Sequence, residues 1–278
     1  MMKLIRTLVM TLTLMGGAAA PAQIEVYLRL PHKQYLLGES IVAEVEVRNQ
    51  TGEPLIFNGT NRNARFAFDI ESDGNTLPLA KAAVKADTTM IPVGQTALRN
   101  VELQSAWDLR NPGLYKVRAG VEWDNNNYYS ARSHMSLITG PEVAQQVFSR
   151  PGRDAPVKYS LRILSRNDYD LREQRLFCCV ENKATGARES VADLGTLLRM
   201  YDPIMQRDAA GRMHILHNSA PNRFTHSIVS ANGQLQSQDH FASDLQTPQM
   251  INQEGVITVR GRAWRSGETR RATELLRP

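Results

Sequence analysis

Residues 35–57, YLLGESIVAEVEVRNQTGEPLIF, decide the fold class. Ile41, Ala43, Val45 and Val47 alternate with Val42, Glu44, Glu46 and Arg48, the period-2 pattern of a strand with one apolar and one charged face. Asn49, Gly52 and Pro54 follow as turn chemistry, because glycine takes positive φ without a Cβ penalty and proline presets φ. Leu55 and Phe57 then open the next strand. A strand, a turn and a returning strand are thus written within one short stretch.

The pattern continues on both sides. Upstream, Ile24, Val26, Leu28 and Leu30 alternate with Glu25, Tyr27 and Arg29, and Pro31 ends the run. Downstream, Phe66, Phe68 and Ile70 alternate with Arg65, Ala67 and Asp69, closed by the hairpin-type turn Ser72-Asp73-Gly74-Asn75. Residues 79–91 read as a loop or short edge strand. Pro92 to Gln95 turn the chain into Val101 and Leu103. After Asn111-Pro112-Gly113, residues Tyr115, Val117, Ala119, Val121 and Trp123 share one face of the best strand in the chain. Asp124 to Asn127 turn it, and Tyr129 to Ile138 are expected to return as one strand. About seven short strands without a convincing helix predict an antiparallel sandwich of immunoglobulin type over residues 23–148. Tyr115 stands where a tyrosine-corner residue would bond back to the backbone, or serves as an ordinary core aromatic.

The stretches LLGESIVAEVEVRNQTGEPLIF, FAFDIESDG, PVGQT and AWDLRNPGLYKVRAGVEW resemble the Ig-like sandwich of BsuPI-type proteinase-inhibitor domains, over roughly residues 25–125. The resemblance implies the scaffold and, through it, an inhibitory activity; no position matches a reactive residue.

At 278 residues and 42% hydrophobic, the chain is long enough for two domains. Lys3 and Arg6 precede an apolar run from Leu8 to Met15, and small residues follow to Ala22. That is the pattern of a secretory signal peptide, residues 1–22, with the mature chain starting at Gln23. No second apolar stretch is long enough to cross a bilayer as a helix, so the expected product is secreted or periplasmic. Residues 149–156, SRPGRDAP, are polar and without hydrophobic period and read as a domain linker.

Beyond it, Tyr159, Leu161 and Ile163 alternate as a strand, and RLFCCVENKATGARES reads as a hairpin. A weak repeat follows. Pro203-Ile-Met, a polar turn with Gly211 and a β run recur 45 residues later as Pro248-Gln-Met, a turn with Gly255 and a β run. That period suits a four-stranded propeller blade, and DAAGRMHILHNSAPNRFTHSIVSANGQL resembles blade sequences of bacterial β-propellers. About 120 residues make too few blades to close a ring. The prediction is an open, blade-like antiparallel β domain over residues 157–278 that must cover its edges by packing on another surface. The basic tail, with Arg260, Arg262, Arg265, Arg270, Arg271 and Arg277, reads as a solvated end.

Charge excludes little. Residues 23–156 hold 14 Lys and Arg against 15 Asp and Glu, and residues 157–278 hold 17 against 13. Stacking aromatics within the basic tail are limited to Trp264, so no specific nucleic-acid partner is expected. The two cysteines, Cys178 and Cys179, are neighbours whose side chains leave opposite faces of a strand. They read as at least one buried thiol, with a strained vicinal disulfide as the alternative.

No zinc motif, nucleophile elbow, phosphate loop or dinucleotide fingerprint is present, and no cofactor or metal is expected. His214 and His217 fall on opposite strand faces and cannot share an ion; His226 and His240 add no ligand spacing. Asp168 and Asp170 lie in a turn-forming run, and Asp73 and Asp208 serve turns. A carbohydrate-active enzyme would require Asp168, Asp170, Asp202 and Asp208 to converge. Asn49-Gln50-Thr51 and Asn58-Gly59-Thr60 are glycosylation sequons. The expectation is a non-catalytic binding or surface-interaction protein, with a protein or a polysaccharide as its partner, whose ligand meets loops at the ends of rigid sheets. The candidate residues are Asn58, Asn61 and Asn63, Asp124 and Asn126, and Asn218 and Arg223.

Overall fold

The structure, a computed structural model, describes residues 24–58, 60–77, 90–149, 156–168, 171–243 and 246–265. The expected signal peptide, the C-terminal arginines from Arg270 on, Asp170 and most of the expected linker lie outside the described residues. The chain is all-β, its sheets almost wholly antiparallel, and none closes into a barrel.

Two sheets enclose the first core. Val42–Asn49 is the centre of a three-stranded sheet between Ile24–Arg29 and Thr96–Glu102. The larger sheet runs Gln34–Leu36, Ser133–Ile138, Gly113–Trp123, Ala64–Ser72, Asn75–Thr76. The alternation read from the sequence sends Ala43, Val45 and Val47 inward from the first sheet to meet Val117, Ala119, Val121, Ile70 and Leu137 from the second. The first strand divides its length between the sheets: residues 24–29 pair with Val42–Asn49, while Gln34–Leu36 lies parallel to Ser136–Ile138. This order is that of an immunoglobulin-type sandwich. The Tyr115 hydroxyl donates to the Asn111 carbonyl at 2.7 Å, the tyrosine corner itself, and the ring is buried.

Two readings of this half change. The return strand expected over Tyr129–Ile138 is broken into Asn126–Tyr129 and Ser133–Ile138, both along the same edge of Gly113–Trp123. Ser130 makes the break: its backbone donates to Ala119 O and its hydroxyl accepts from Ala119 N. The sequon at Asn49 is closed, since the side chain is wholly buried and its amide donates to Glu53 O and Ile91 O.

A second core lies between two further sheets. One is the meander Glu142–Phe148, Val157–Asp168, Leu171–Asn182, Arg188–Thr196; the other is the meander Ile204–Arg207, Met213–Ala220, Arg223–Val229, Leu235–Ala242, extended by Arg262–Ala263. They stack face to face through Leu161, Cys178 and Leu194 against Met205, Met213 and Ile215. The boundary read at residues 149–156 therefore shifts. Glu142–Phe148 pairs with Val157–Asp168, with Ala144 and Phe148 on the second core, so the chain passes between cores at residues 139–141.

Both copies of the sequence repeat are hairpins: Ile204–Arg207 with Met213–Ala220, and Gln249–Gln253 with Val256–Arg260. Gly211 and Gly255 sit in their turns with φ of 81° and 84°. The turns touch, Ala209 N donating to Gly255 O at 2.9 Å.

The outer face of the Glu142–Thr196 sheet is covered by the sandwich. Leu164, Phe177 and Cys179 pack with Leu36 and Ile138. Arg166 is ion-paired with Glu39 and bonded to His32, and Arg188 donates to Leu37 O. Gly38 and Gly140 allow this approach. A Cβ on Gly140 would lie 2.6 Å from Ile163 O, and one on Gly38 2.9 Å from the Arg188 side chain.

Candidate functional site

Two of the three candidate loops meet at one end of the sandwich. Register brings them together: Ala64, which leaves the loop of residues 58–63, pairs with Trp123, which enters the turn at Asp124. That turn holds Asp124 and Asn125 at φ of 48° and 58°, the two positive values of a type I′ hairpin, which Asp and Asn tolerate better than other side chains. Asn126 Nδ2 donates to Asp124 O at 3.0 Å. Across from it, Asn63 accepts from Ile56 N at 2.7 Å and donates to Pro54 O at 3.0 Å. Asn63 therefore shapes its loop, while Asn58, Asn61, Asp124 and Asn126 are exposed.

Arg62, Asn63, Arg65, Glu122, Trp123, Asp124 and Asn125 line a shallow open cleft of about 270 Å³ between the loops. Arg65 Nε donates to Glu122 Oε2 at 2.7 Å across the strands. Trp123 is half-buried, tilted against Tyr128 with ring centroids 6.4 Å apart. Two cations and two anions balance, so the cleft offers donors, acceptors and one aromatic edge without net charge. Such a surface suits polar, uncharged ligand groups better than a polyanion.

The third candidate loop is not a loop. Asn218 lies within Met213–Ala220 and is wholly buried, its Nδ2 donating to Ala220 O at 2.6 Å and Arg223 O at 3.0 Å. Its amide tightens the two-residue turn at Pro221-Asn222, and it is not available to a ligand. Arg223 Nε donates to Ser219 Oγ at 3.2 Å, and its guanidinium lies 5.9 Å from the Trp264 ring.

A buried polar chain went unnoticed in the sequence. Arg212 Nε donates to Asp208 Oδ2 at 2.7 Å, His214 Nε2 lies 3.2 Å from the same oxygen, and His214 Nδ1 lies 3.0 Å from His226 Nε2. A carboxylate only accepts, so His214 donates to it through Nε2, and its Nδ1 and His226 Nε2 share one hydrogen between them. The paired Arg212 and the His214 hydrogen bond hold Asp208 below the usual carboxylate range despite burial, and burial together with His214 pushes His226 down to about 4. His214 uses both nitrogens toward different partners, so the three residues cannot converge on one ion. Among the described residues no group of three or more His, Cys, Asp or Glu could hold a metal. Asp208 was read as a turn residue, which it also is: its Oδ1 accepts from Arg212 N at 2.8 Å. The missing signal was pairing, because Leu216 stands opposite His226 only once the hairpin register is known.

His214 and His217 do lie on opposite faces, the latter with Met213 and Ile215 toward the second core. His217 is 1% exposed, and although the Thr196 backbone is near, neither ring nitrogen makes a hydrogen bond of good geometry among the described residues. Of the acidic residues an enzyme would need to gather, Asp202 is exposed and Asp208 is held by Arg212 and His214. The two cysteines are free and buried, Cys178 in the second core and Cys179 in the junction with the sandwich. Among the described residues no helix is long and apolar enough to cross a membrane.

No protein-family model matches this chain, and no curated protein matches it significantly.

Proposed function

We propose that the chain is an exported, non-catalytic binding protein whose ligand meets the loop end of the sandwich. The observation that carries this reading is the convergence of residues 58–63 and 124–127 beside Trp123 on a rigid two-sheet scaffold, since binding loops work best when a fixed frame positions them. The balanced cleft favours a neutral polar partner surface, either a polysaccharide or a protein segment. The inhibitor activity implied by the BsuPI-type resemblance is the alternative reading, for which no position of the sequence matches a reactive residue. Export rests on the charged, apolar and small-residue order of residues 1–22.

The test compares the wild-type chain with a Trp123→Ala, Arg62→Ala double variant on an array of cell-envelope polysaccharides and in pull-downs from the native secreted or periplasmic fraction. A ligand retained by the wild type and lost by the variant is expected. Equal retention by both would place binding elsewhere and sink the loop-end reading. Sequencing the mature N-terminus should begin at Gln23.

A further inference from the structure

The outward face of the three-stranded sheet carries an unmatched charge at its centre. Register sets three rows across it: Glu25, Arg48 and Thr96; Tyr27, Glu46 and Leu98; Arg29, Glu44 and Asn100. The flanking rows neutralise themselves, with Arg48 Nη1 3.5 Å from Glu25 and Arg29 Nη1 3.6 Å from Glu44. Arg48 Nε also reaches Thr96 Oγ1 at 3.5 Å. Glu46 has no hydrogen bond or ion pair among the described residues. Beside it, Tyr27 is 53% exposed and Leu98 67% exposed. The Tyr27 hydroxyl donates to Glu25 Oε2 at 3.2 Å, which fixes the ring. With Leu28 these residues line an open cleft of about 530 Å³.

We infer that this face docks a protein partner through a lysine or arginine side chain seated on Glu46 between Tyr27 and Leu98. Charge complementarity selects the occupant: Glu46, at the centre, has no counter-ion among the described residues, and Arg48 and Arg29 on either side of it are paired with Glu25 and Glu44, while Glu102, the other unpaired carboxylate on this face, lies at its far end and accepts from Ser40 Oγ. The flanks suit the rest of the side chain. A lysine or arginine stem covers apolar surface while its head stays polar, so Leu98 takes the methylenes, and the Tyr27 ring favours a cation over its face. A second copy of this chain fits poorly, since a two-fold axis through the centre of the face would set Glu46 against Glu46 of the copy. The chain as a whole is cationic, with a formal net charge of +5, so a basic ligand held here is held locally and not by a general field.

The experiment is a backbone-amide NMR titration of the full chain with the peptide acetyl-Gly-Arg-Gly-Arg-Gly-amide. Shifts centred on Tyr27, Glu46 and Leu98 are expected, saturating with peptide. Glu46→Gln should weaken binding about tenfold or more, the size of a lost charge-assisted hydrogen bond. Glu46→Asp should retain part of the affinity and Glu53→Gln all of it. Leu98→Ser supplies an independent variant that keeps Glu46 and should weaken binding several-fold. Shifts that survive Glu46→Gln, that centre on another part of the chain, or that are absent would overturn the proposal. So would sedimentation showing that the free chain already pairs through this face.

Discussion

Acidification should weaken the second core through His217 well before the carboxylates titrate. The ring is buried against Thr196, with His240 and Arg223 as the nearest cationic groups and Asp193 opposing them. Burial, reinforced by those cations, pushes its pKa down to about 4 from the ordinary 6.5. A histidine whose folded pKa lies below its unfolded one contributes stability above pH 6.5 that is lost as pH falls toward 4, because the unfolded chain takes the proton first. One pKa unit corresponds to about 1.4 kcal/mol, so His217 alone removes about 2 kcal/mol by pH 5 and about 3 kcal/mol by pH 4. His226, lowered by burial and by His214, adds a loss of the same sign. Urea unfolding followed by tryptophan fluorescence between pH 8 and pH 5 measures it. In His217→Leu the drop over that range should shrink by about 2 kcal/mol. At pH 7.5 the variant should lie within about 1 kcal/mol of wild type, since neither of the buried nitrogens it deletes makes a hydrogen bond of good geometry among the described residues. A variant that is several kcal/mol weaker at pH 7.5, with its pH slope unchanged, would show that the imidazole is bonded and that this account is wrong.

Three further outcomes follow from single contacts. Tyr115→Phe removes the hydroxyl that donates to Asn111 O and should cost about 1 kcal/mol in urea unfolding; no measurable change would mean the corner is ornamental. Gly140→Ala combines a φ of +67° with a Cβ 2.6 Å from Ile163 O and 2.7 Å from Leu36 Cδ1. It should cost about 3 kcal/mol, against about 1 kcal/mol for Gly94→Ala, whose φ is +72° in open space; equal melting temperatures would deny the tight junction. Burial pushes the Cys178 thiol far above its usual range and Cys179 up to about 11. A thiol reagent at pH 8 should therefore find none in the native chain and two after denaturation without reductant, whereas a vicinal disulfide would leave none in either state.

How much of this was legible in the sequence depended on distance along the chain. Residues 41–47 and 115–123 announced their inward faces because alternation is local, and the turns at Asp73-Gly74 and at Asp124 were readable because positive φ selects Gly, Asn and Asp. The repeat at Pro203 and Pro248 was read as the period of a propeller blade, whereas its first copy is part of a five-stranded sheet and its second a separate two-stranded hairpin, because like turns recur locally whatever sheet they join. Tyr115 was singled out from its place after Asn111-Pro112-Gly113 as a corner residue or an ordinary core aromatic, and the bond to Asn111 O decides for the corner. Errors arose where a polar residue's neighbours were remote. Asn218 looked like a loop residue beside Pro221-Asn222, but it pairs with Phe224 inside its strand, is wholly buried, and spends its amide on its own turn. Residues 149–156 looked like a linker because they lack a pattern, yet Glu142–Phe148 belongs to the sheet that follows.

The sequence by itself determined the class, the strands, most turns and the inward faces, since period, turn chemistry and β-branching act between near neighbours. Only tertiary structure decided which strands lie side by side, and with that everything functional about the surface. It joined residues 58–63 to Asp124 through the Ala64 and Trp123 register, linked Asp208 to His226 through His214, and set Glu46 between Tyr27 and Leu98. Register is a property of the whole core: a one-residue slip in Val42–Asn49 would turn Glu46 inward and Val45 to solvent. The burial of Val45 and Val47 that forbids that slip is therefore what fixes the charge pattern on the opposite face.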